Sequence, residues 1–278
     1  MAPPASGREA LSVRVSVRER RPRGIPLRAV VPNAITALAL CSGLSGVRFA
    51  IAGEWERAVA MIVLAGVLDG LDGRVARMLK GESRFGAELD SLADAISFGV
   101  SPALVLYLWS LTTFPQLGWI AALMLAVFCA LRLARFNAQI EANDQPRKAA
   151  GYFTGVPAPA GAGLAMLPLI AWLWSGEPIL RNHWLVAPWV ALVATLMVSS
   201  LATYSWKSFR LRRHMRFEAI AGAVVLAAAL VTAPWQTLTV VSVLYLLAIP
   251  FSMAGYARIR RQRAAEMTPR PSEPTPTA

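Results

Sequence analysis

Long apolar stretches, separated by short polar connections, dominate the chain from residue 30 onward. They lie at about residues 30–51, 56–73, 87–111, 118–136, 155–175, 184–204, 218–233 and 237–256. A helix that crosses the hydrocarbon core of a bilayer needs about 20 residues, and most of these stretches approach that length. The pattern therefore predicts an all-α fold, a polytopic membrane helix bundle with about eight transmembrane helices.

Basic residues are concentrated in alternate connections between these stretches. Clusters of Lys and Arg occupy residues 14–28, 74–84, 132–150, 205–217 and 258–263, whereas the connections between them are poor in both residues. Cytoplasmic loops of membrane proteins carry an excess of Lys and Arg. The alternation predicts a multi-pass protein of the inner (cytoplasmic) membrane with both termini in the cytoplasm.

Charge and composition restrict the kind of protein further. The formal charge is +12, but 56% of the residues are hydrophobic and the basic residues lie in short clusters between apolar stretches, so we expect no nucleic-acid partner. Residues 1–28 are predicted to be a basic cytoplasmic segment and 29–260 a membrane domain. Residues 261–278 are rich in Pro, Ser and Thr and are predicted to be a disordered cytoplasmic tail.

Four aspartates interrupt the second and third apolar stretches. Asp69 and Asp72 are three residues apart, and Asp90 and Asp94 are four apart, so each pair shares one helix face. The basic connection at 74–84 joins the two helices, so both pairs lie near the same membrane surface. A carboxylate inside a bilayer costs about 2.5 kcal/mol or more unless it is neutralised. The all-oxygen ligand set predicts a site for two divalent cations, Mg²⁺ or Mn²⁺.

A divalent-cation transporter is the alternative from another class, since ion pathways also place carboxylates in membrane helices. The residues after Asp72 favour an enzyme. Gly73 and Ala76 would admit a bulky ligand, and Arg77 offers a guanidinium suited to phosphate. A transporter would also need acidic residues in the apolar stretches beyond residue 94, and the interiors of these stretches contain none, since Glu218 is the first residue of its stretch.

The spacing of these residues resembles the sequence pattern of a known family. The pattern is Asp69-x-x-Asp72-Gly73-x-x-Ala76-Arg77, eight residues, then Gly86-x-x-x-Asp90-x-x-x-Asp94. It matches that of the CDP-alcohol phosphatidyltransferases, which transfer a phosphatidyl or similar group from a CDP-linked lipid to an alcohol and release CMP. The resemblance implies that the four aspartates bind two divalent cations and that Asp94 is the general base.

The same resemblance implies a set of residues that bind CDP-diacylglycerol on the cytoplasmic side. They are Asn33, Thr36, Gly73, Ala76, Arg77, Ser83 and Gly86. For Asn33 an ordinary helix cap is the competing interpretation, because asparagine is common just before the first turn of a helix.

Three further segments bear on the acceptor alcohol. "RLARFN" at 132–137 and "YFTGVPAPAGAG" at 152–163 resemble the phosphatidylserine synthase branch of the family, as does "MVSSLATYSWK" at 197–207. The resemblance implies L-serine as the acceptor, a homodimer, and a role for Arg132, Arg135 and Asn137 in binding the acceptor or the lipid phosphate. Glycerol 3-phosphate, an inositol phosphate and choline remain alternative acceptors. The last two helices, about 218–256, have almost no polar residue that could act, so we expect them to serve packing or a dimer interface.

Overall fold

The structure is a computed structural model that describes residues 27–141, 152–199, 202–204 and 216–267. Its α-helices are α1 (Leu27–Ile51), α2 (Trp55–Leu79), α3 (Arg84–Asp94), α4 (Ser101–Trp109), α5 (Pro115–Glu141), α6 (Ala158–Ala165), α7 (Leu167–Ser175), α8 (His183–Val198), α9 (Arg216–Thr232) and α10 (Pro234–Met267). A π-helical segment, Ala95–Val100, joins α3 to α4, and short 3₁₀ turns occupy Leu111–Thr113 and Pro178–Arg181. Every predicted apolar stretch therefore contains helix.

Length and hydropathy identify the helices that can cross a membrane. Within the described ranges, the continuous helical segments Val30–Ile51, Arg84–Trp109 and Pro115–Ala138 pass this test. The pair α6 and α7, bent by 45°, adds a fourth if the two form one span. The prediction of a helical membrane protein is confirmed at this level, with three or four candidate spans passing the test instead of eight.

Several predicted boundaries are wrong. The basic stretch 74–84 is mostly helical, because α2 continues to Leu79 before Lys80 adopts a left-handed conformation (φ 49°) and ends it. Helix α8, which corresponds to the sixth predicted apolar stretch, ends at Val198 instead of continuing to 204. At the C-terminal end, α10 reaches Met267, so the first residues of the predicted tail are helical, while 1–26 and 268–278 lie outside the described residues.

Two three-residue strands are the exception to the helical prediction. Strand β1 (Tyr152–Thr154) pairs antiparallel with β2 (Ala202–Tyr204), with Phe153 opposite Thr203. These strands come from the two polar segments at 152–163 and 197–207, which are thus brought together. Strand β2 also contacts α10.

Close helix packing places the ends of α1, α2 and α3 beside one another. Helix α1 lies along α2 and also contacts α3 and the π-helical segment. Gly43 of α1 permits this approach, since a Cβ added there would lie 2.8 Å from the Cα of Ser97. Small residues at such crossings are typical of membrane helices, whose backbones approach closely. The core beyond this crossing is apolar and includes Phe98, Leu106 and Leu125.

Candidate metal and nucleotide site

The aspartates of α2 and α3 converge as their spacing predicts. Asp69, Asp72 and Asp90 each offer a carboxylate oxygen, and these atoms all lie within 4.8 Å of one another. The carboxyl group of Asp94 lies within hydrogen-bonding range of Asp69 and within electrostatic range of Arg132. Helix α2 therefore contributes both of its aspartates to this group, α3 contributes Asp90, and Asp94 adjoins the group through Asp69.

The chemistry of this cluster fits a hard divalent cation. Its donors are carboxylate oxygens, the ligands that Mg²⁺, Mn²⁺ and Ca²⁺ prefer. His183 is remote from it, because its ring nitrogen contacts the hydroxyl of Thr113 and its ring stacks on Phe114. His214 lies outside the described residues. Several carboxylates this close together repel one another, and a bound cation would offset that repulsion.

One hydroxyl from α1 enters the cluster. The Oγ1 of Thr36 donates to Oδ2 of Asp72 at 2.5 Å, with the Pro32 carbonyl 3.1 Å away as a second acceptor. Thr36 is 4% exposed and Asp72 is 5% exposed. The sequence predicted a nucleotide contact for Thr36, and the structure shows that its hydroxyl already engages Asp72. This hydrogen bond fixes the orientation of that carboxylate relative to α1.

A cavity of about 310 Å³ opens directly beside the cluster. Its lining comes from α1, α2, α3 and the connection at 80–83, and comprises Pro32, Asn33, Thr36, Asp72, Gly73, Ala76, Arg77, Gly81, Glu82, Ser83, Gly86, Ala87 and Asp90. The seven residues predicted to bind CDP-diacylglycerol all belong to this set. Asp72 and Asp90 face the cavity, so a ligand bound there would touch the acidic cluster.

The start of α3 is built for close approach to α1. Ser83 is the N-cap of α3 and accepts a hydrogen bond from the Gly86 amide at 3.0 Å. A Cβ at Gly86 would lie 2.8 Å from Oδ1 of Asn33 and 3.1 Å from Oγ of Ser83. The interpretation of Asn33 as a helix cap is wrong, because α1 begins at Leu27 and places Asn33 in its second turn.

The three residues predicted to bind the acceptor or the lipid phosphate lie on α5 in different environments. Asn137 donates to the Ser91 hydroxyl at 2.9 Å, which ties α5 to α3. Arg135 is exposed, and its Nη1 lies 3.4 Å from the Val198 carbonyl. Arg132 is partly buried, and its Nε has no hydrogen-bond partner among the described residues. Of the three, Arg132 is the one close to Asp94.

Sequence reasoning missed a residue on the last helix. Tyr245 of α10 lies within electrostatic range of Arg132, although the sequence predicted that this helix only packs. No local spacing could reveal the contact, since more than a hundred residues separate the two side chains. Gly81 and Glu82 of the cavity were also missed, and their position in the connection between the aspartate pairs was the available signal.

Comparison with known proteins decides the family. The family described as CDP-alcohol phosphatidyltransferase matches residues 29–261. The chain belongs to the CDP-alcohol phosphatidyltransferase family. The aspartate cluster and its cavity hold the residues of the sequence pattern by which the chain resembles this family.

Relatives within the CDP-alcohol phosphatidyltransferases carry a more specific name. A protein of Mycobacterium tuberculosis named CDP-diacylglycerol--serine O-phosphatidyltransferase is 40% identical over 237 residues, which are 85% of this chain and 82% of that protein. A Helicobacter pylori protein of the same name is 34% identical over 181 residues, covering 64% of this chain and 73% of its own length. A Saccharomyces cerevisiae protein of that name is 39% identical over 130 residues, or 44% of this chain and 46% of that protein.

Proposed function

We propose that this protein transfers the phosphatidyl group of CDP-diacylglycerol to the hydroxyl of L-serine, giving phosphatidylserine and CMP. The observation that carries the proposal is the 40% identity to a protein named for this reaction, which extends over 85% of the chain. The acidic cluster beside a cavity supports it independently, because a nucleotide-linked lipid needs both a polar pocket and compensation of its pyrophosphate charge.

The aspartates Asp69, Asp72, Asp90 and Asp94 would hold two divalent cations, Mg²⁺ or Mn²⁺. Such a pair, when bound, offsets the negative charge of a pyrophosphate and of the departing CMP. In this proposal, side chains of the protein bind the substrates and accept the proton. Asp72 and Asp90 face the cavity, whereas Asp94 lies beyond them towards α5.

The cavity would receive the cytidine diphosphate. Arg77 lines it and carries a planar guanidinium that can donate two parallel hydrogen bonds to a phosphate. Gly73 and Gly86 leave room for the ligand at the backbone, and Asn33 and Ser83 add polar contacts at the end formed by α1 and α3. In this arrangement the pyrophosphate lies between the guanidinium and the carboxylates.

Asp94 is the general base in this proposal. A serine hydroxyl is a weak nucleophile at neutral pH, so removal of its proton by a nearby carboxylate accelerates attack on the phosphorus. The Oγ–phosphorus bond forms as the bond from phosphorus to the CMP oxygen breaks. The proton passes to a carboxylate oxygen of Asp94, and CMP leaves through the cavity.

The membrane arrangement follows the distribution of charge. We propose eight spans with both termini in the cytoplasm and the site open to the cytoplasmic side of the inner membrane. This orientation would place Arg74, Arg77, Arg132 and Arg135 on the side that is rich in basic residues. Residues 29–260 would form the membrane domain. The homodimer implied by the resemblance belongs to the same proposal, and native mass spectrometry in nanodiscs tests it.

Release of CMP by the purified full-length protein tests the function. With Mg²⁺ or Mn²⁺ and CDP-diacylglycerol, we expect CMP to appear with L-serine and not with glycerol 3-phosphate, an inositol phosphate or choline. Chelation of the metal should stop the reaction and its return should restore it. Preference for another alcohol would overturn the choice of acceptor, and no release with any alcohol would overturn the transferase assignment.

A further inference from the structure

The acidic cluster has two different sides. The cavity of about 310 Å³ reaches Asp72 and Asp90 but is not lined by Asp69 or Asp94. Asp94 instead has Arg132 of α5 in electrostatic range. If the nucleotide occupies the cavity, the second substrate approaches from the other side, where Arg132 of α5 faces Asp94.

Two polar atoms are buried without partners on this second side. Among the described residues, neither Nε of Arg132 nor the hydroxyl of Tyr245 has a hydrogen-bond partner, and both atoms are inaccessible to solvent. Tyr245 also lines a largely apolar cavity of about 320 Å³ with Gly66, Phe98 and Ser242. Leaving a buried donor unsatisfied costs about 1–3 kcal/mol, and more for a charged group. The two residues lie within electrostatic range of each other, so an anionic group between them would satisfy both donors.

We propose that Arg132 and Tyr245 together bind the carboxylate of the amino-acid acceptor, so that the last helix helps to select the substrate. The proposal rests on the proposed function, since it assumes serine as the acceptor. The Nε–H of Arg132 and the O–H of Tyr245 would each donate to the carboxylate. Serine carries its hydroxyl and its carboxylate on adjacent carbons, so a carboxylate held at Arg132 brings the hydroxyl towards Asp94.

The neighbouring residues do not offer an equal site. Asn137 is engaged with Ser91, and Arg135 is exposed and lies against the Val198 carbonyl. Water can satisfy an exposed guanidinium, whereas the Arg132 Nε and the Tyr245 hydroxyl are shielded from it. A site whose buried donors are satisfied only by the correct ligand rejects analogues that lack the matching group. An amino alcohol without the carboxylate would leave both donors unpaired.

Kinetics of a Tyr245→Phe variant test this inference. The substitution removes one hydroxyl and keeps the ring that lines the apolar cavity. We expect the KM for serine to rise about tenfold, because a hydrogen bond to a charged group is lost. The KM for CDP-diacylglycerol should stay unchanged. Serinol, which replaces the carboxylate by a neutral hydroxymethyl group, should compete with serine only at much higher concentrations, and its inhibition constant should be the same in the variant and the wild type.

A second tyrosine provides the matched control. Tyr107 of α4 packs edge-on against Trp119, with ring centroids 5.1 Å apart, and is not part of the cluster or its cavity. Tyr107→Phe should leave both KM values unchanged. An unchanged KM for serine in Tyr245→Phe, or an equal loss for serine, serinol and CDP-diacylglycerol, would overturn the inference while wild-type activity with serine still supported the proposed function. A wild-type protein that releases no CMP with serine would instead overturn the proposed function.

Discussion

The hydroxyl of Thr36 in α1 donates to Oδ2 of Asp72 in α2 at 2.5 Å. Both residues are almost fully buried, and the two helices lie side by side along much of their length. The hydrogen bond therefore fixes the orientation of a proposed metal ligand relative to α1. Asp72 also faces the nucleotide cavity, so its orientation affects both the metal and the substrate.

Replacement of Thr36 by valine should reduce turnover. Valine keeps the shape of threonine but cannot donate, and a hydrogen bond to a charged group contributes about 1.5–3 kcal/mol, so CMP release should fall about tenfold or more. The Mg²⁺ concentration that gives half-maximal rate should rise. Thr36→Ser, which keeps the hydroxyl, should recover most of the activity. A valine variant with the wild-type rate and metal requirement would show that Asp72 needs no such support.

Enlarging Gly86 should separate α3 from α1. A Cβ at this position would lie 2.8 Å from Oδ1 of Asn33, so Gly86→Ala forces one of the two helices or the amide to move. We expect the KM for CDP-diacylglycerol to rise about tenfold, comparable to the cost of a misplaced contact. Gly222→Ala on α9 is the control, because a Cβ there has no atom within 4 Å. Equal KM values for the two variants would contradict a tight contact at Gly86.

The aspartate cluster could be predicted because its information is local. Spacings of three and four residues set one helix face, and the short connection at 80–83 folds α3 back so that the two pairs lie near each other. The C-terminal end of α2 was harder to predict from the sequence. Its last turns carry Arg74 and Arg77, whose charges resemble those of a loop, yet long basic side chains can extend from a helix into water.

Contacts between segments that are distant in the sequence could not be predicted from local patterns. Tyr245 reaches Arg132 only through the packing of α10 against the rest of the bundle, and one tyrosine in an apolar stretch is typical of core packing. The pairing of β1 with β2 likewise could not be predicted from the sequence. Thr203 and Phe153 lie opposite each other although no repeat or spacing links their segments.

Asparagine at position 94 should abolish turnover without unfolding the protein. Asp94→Asn keeps the size of the side chain but cannot accept the proton of the acceptor hydroxyl. General base catalysis accelerates a reaction about 10²–10⁴-fold. We therefore expect kcat to fall about 100-fold or more. Glu88→Gln changes an exposed carboxylate of the same helix and should leave kcat unchanged. Substantial activity in Asp94→Asn, with normal folding, would argue against its role as base.

Arg181 should stabilise the opposite end of the helix bundle from the aspartates. Its Nε donates to the Trp109 carbonyl at 2.9 Å, and its guanidinium lies 5.9 Å from the ring centroid of Trp55 and 5.7 Å from that of Trp172. Arg181 is exposed, and its two cation–π contacts together with a hydrogen bond from a charged donor contribute about 2–4 kcal/mol. Arg181→Met should therefore lower the Tm by about 5 °C or more, measured in detergent by intrinsic fluorescence.

A surface arginine separates this effect from a general loss of charge. Arg57 forms an ion pair with Glu54 and lies 5.9 Å from the Phe49 ring centroid, but it makes no hydrogen bond to another helix among the described residues. Its side chain is 68% exposed, so Arg57→Met should change the Tm less than Arg181→Met. CMP release by Arg181→Met, assayed well below its Tm, should match that of the wild type, because Arg181 touches neither the acidic cluster nor its cavity. Equal Tm values for the two methionine variants would show that the contacts with Trp55 and Trp172 contribute nothing, and the bundle would then depend at this end on apolar packing alone.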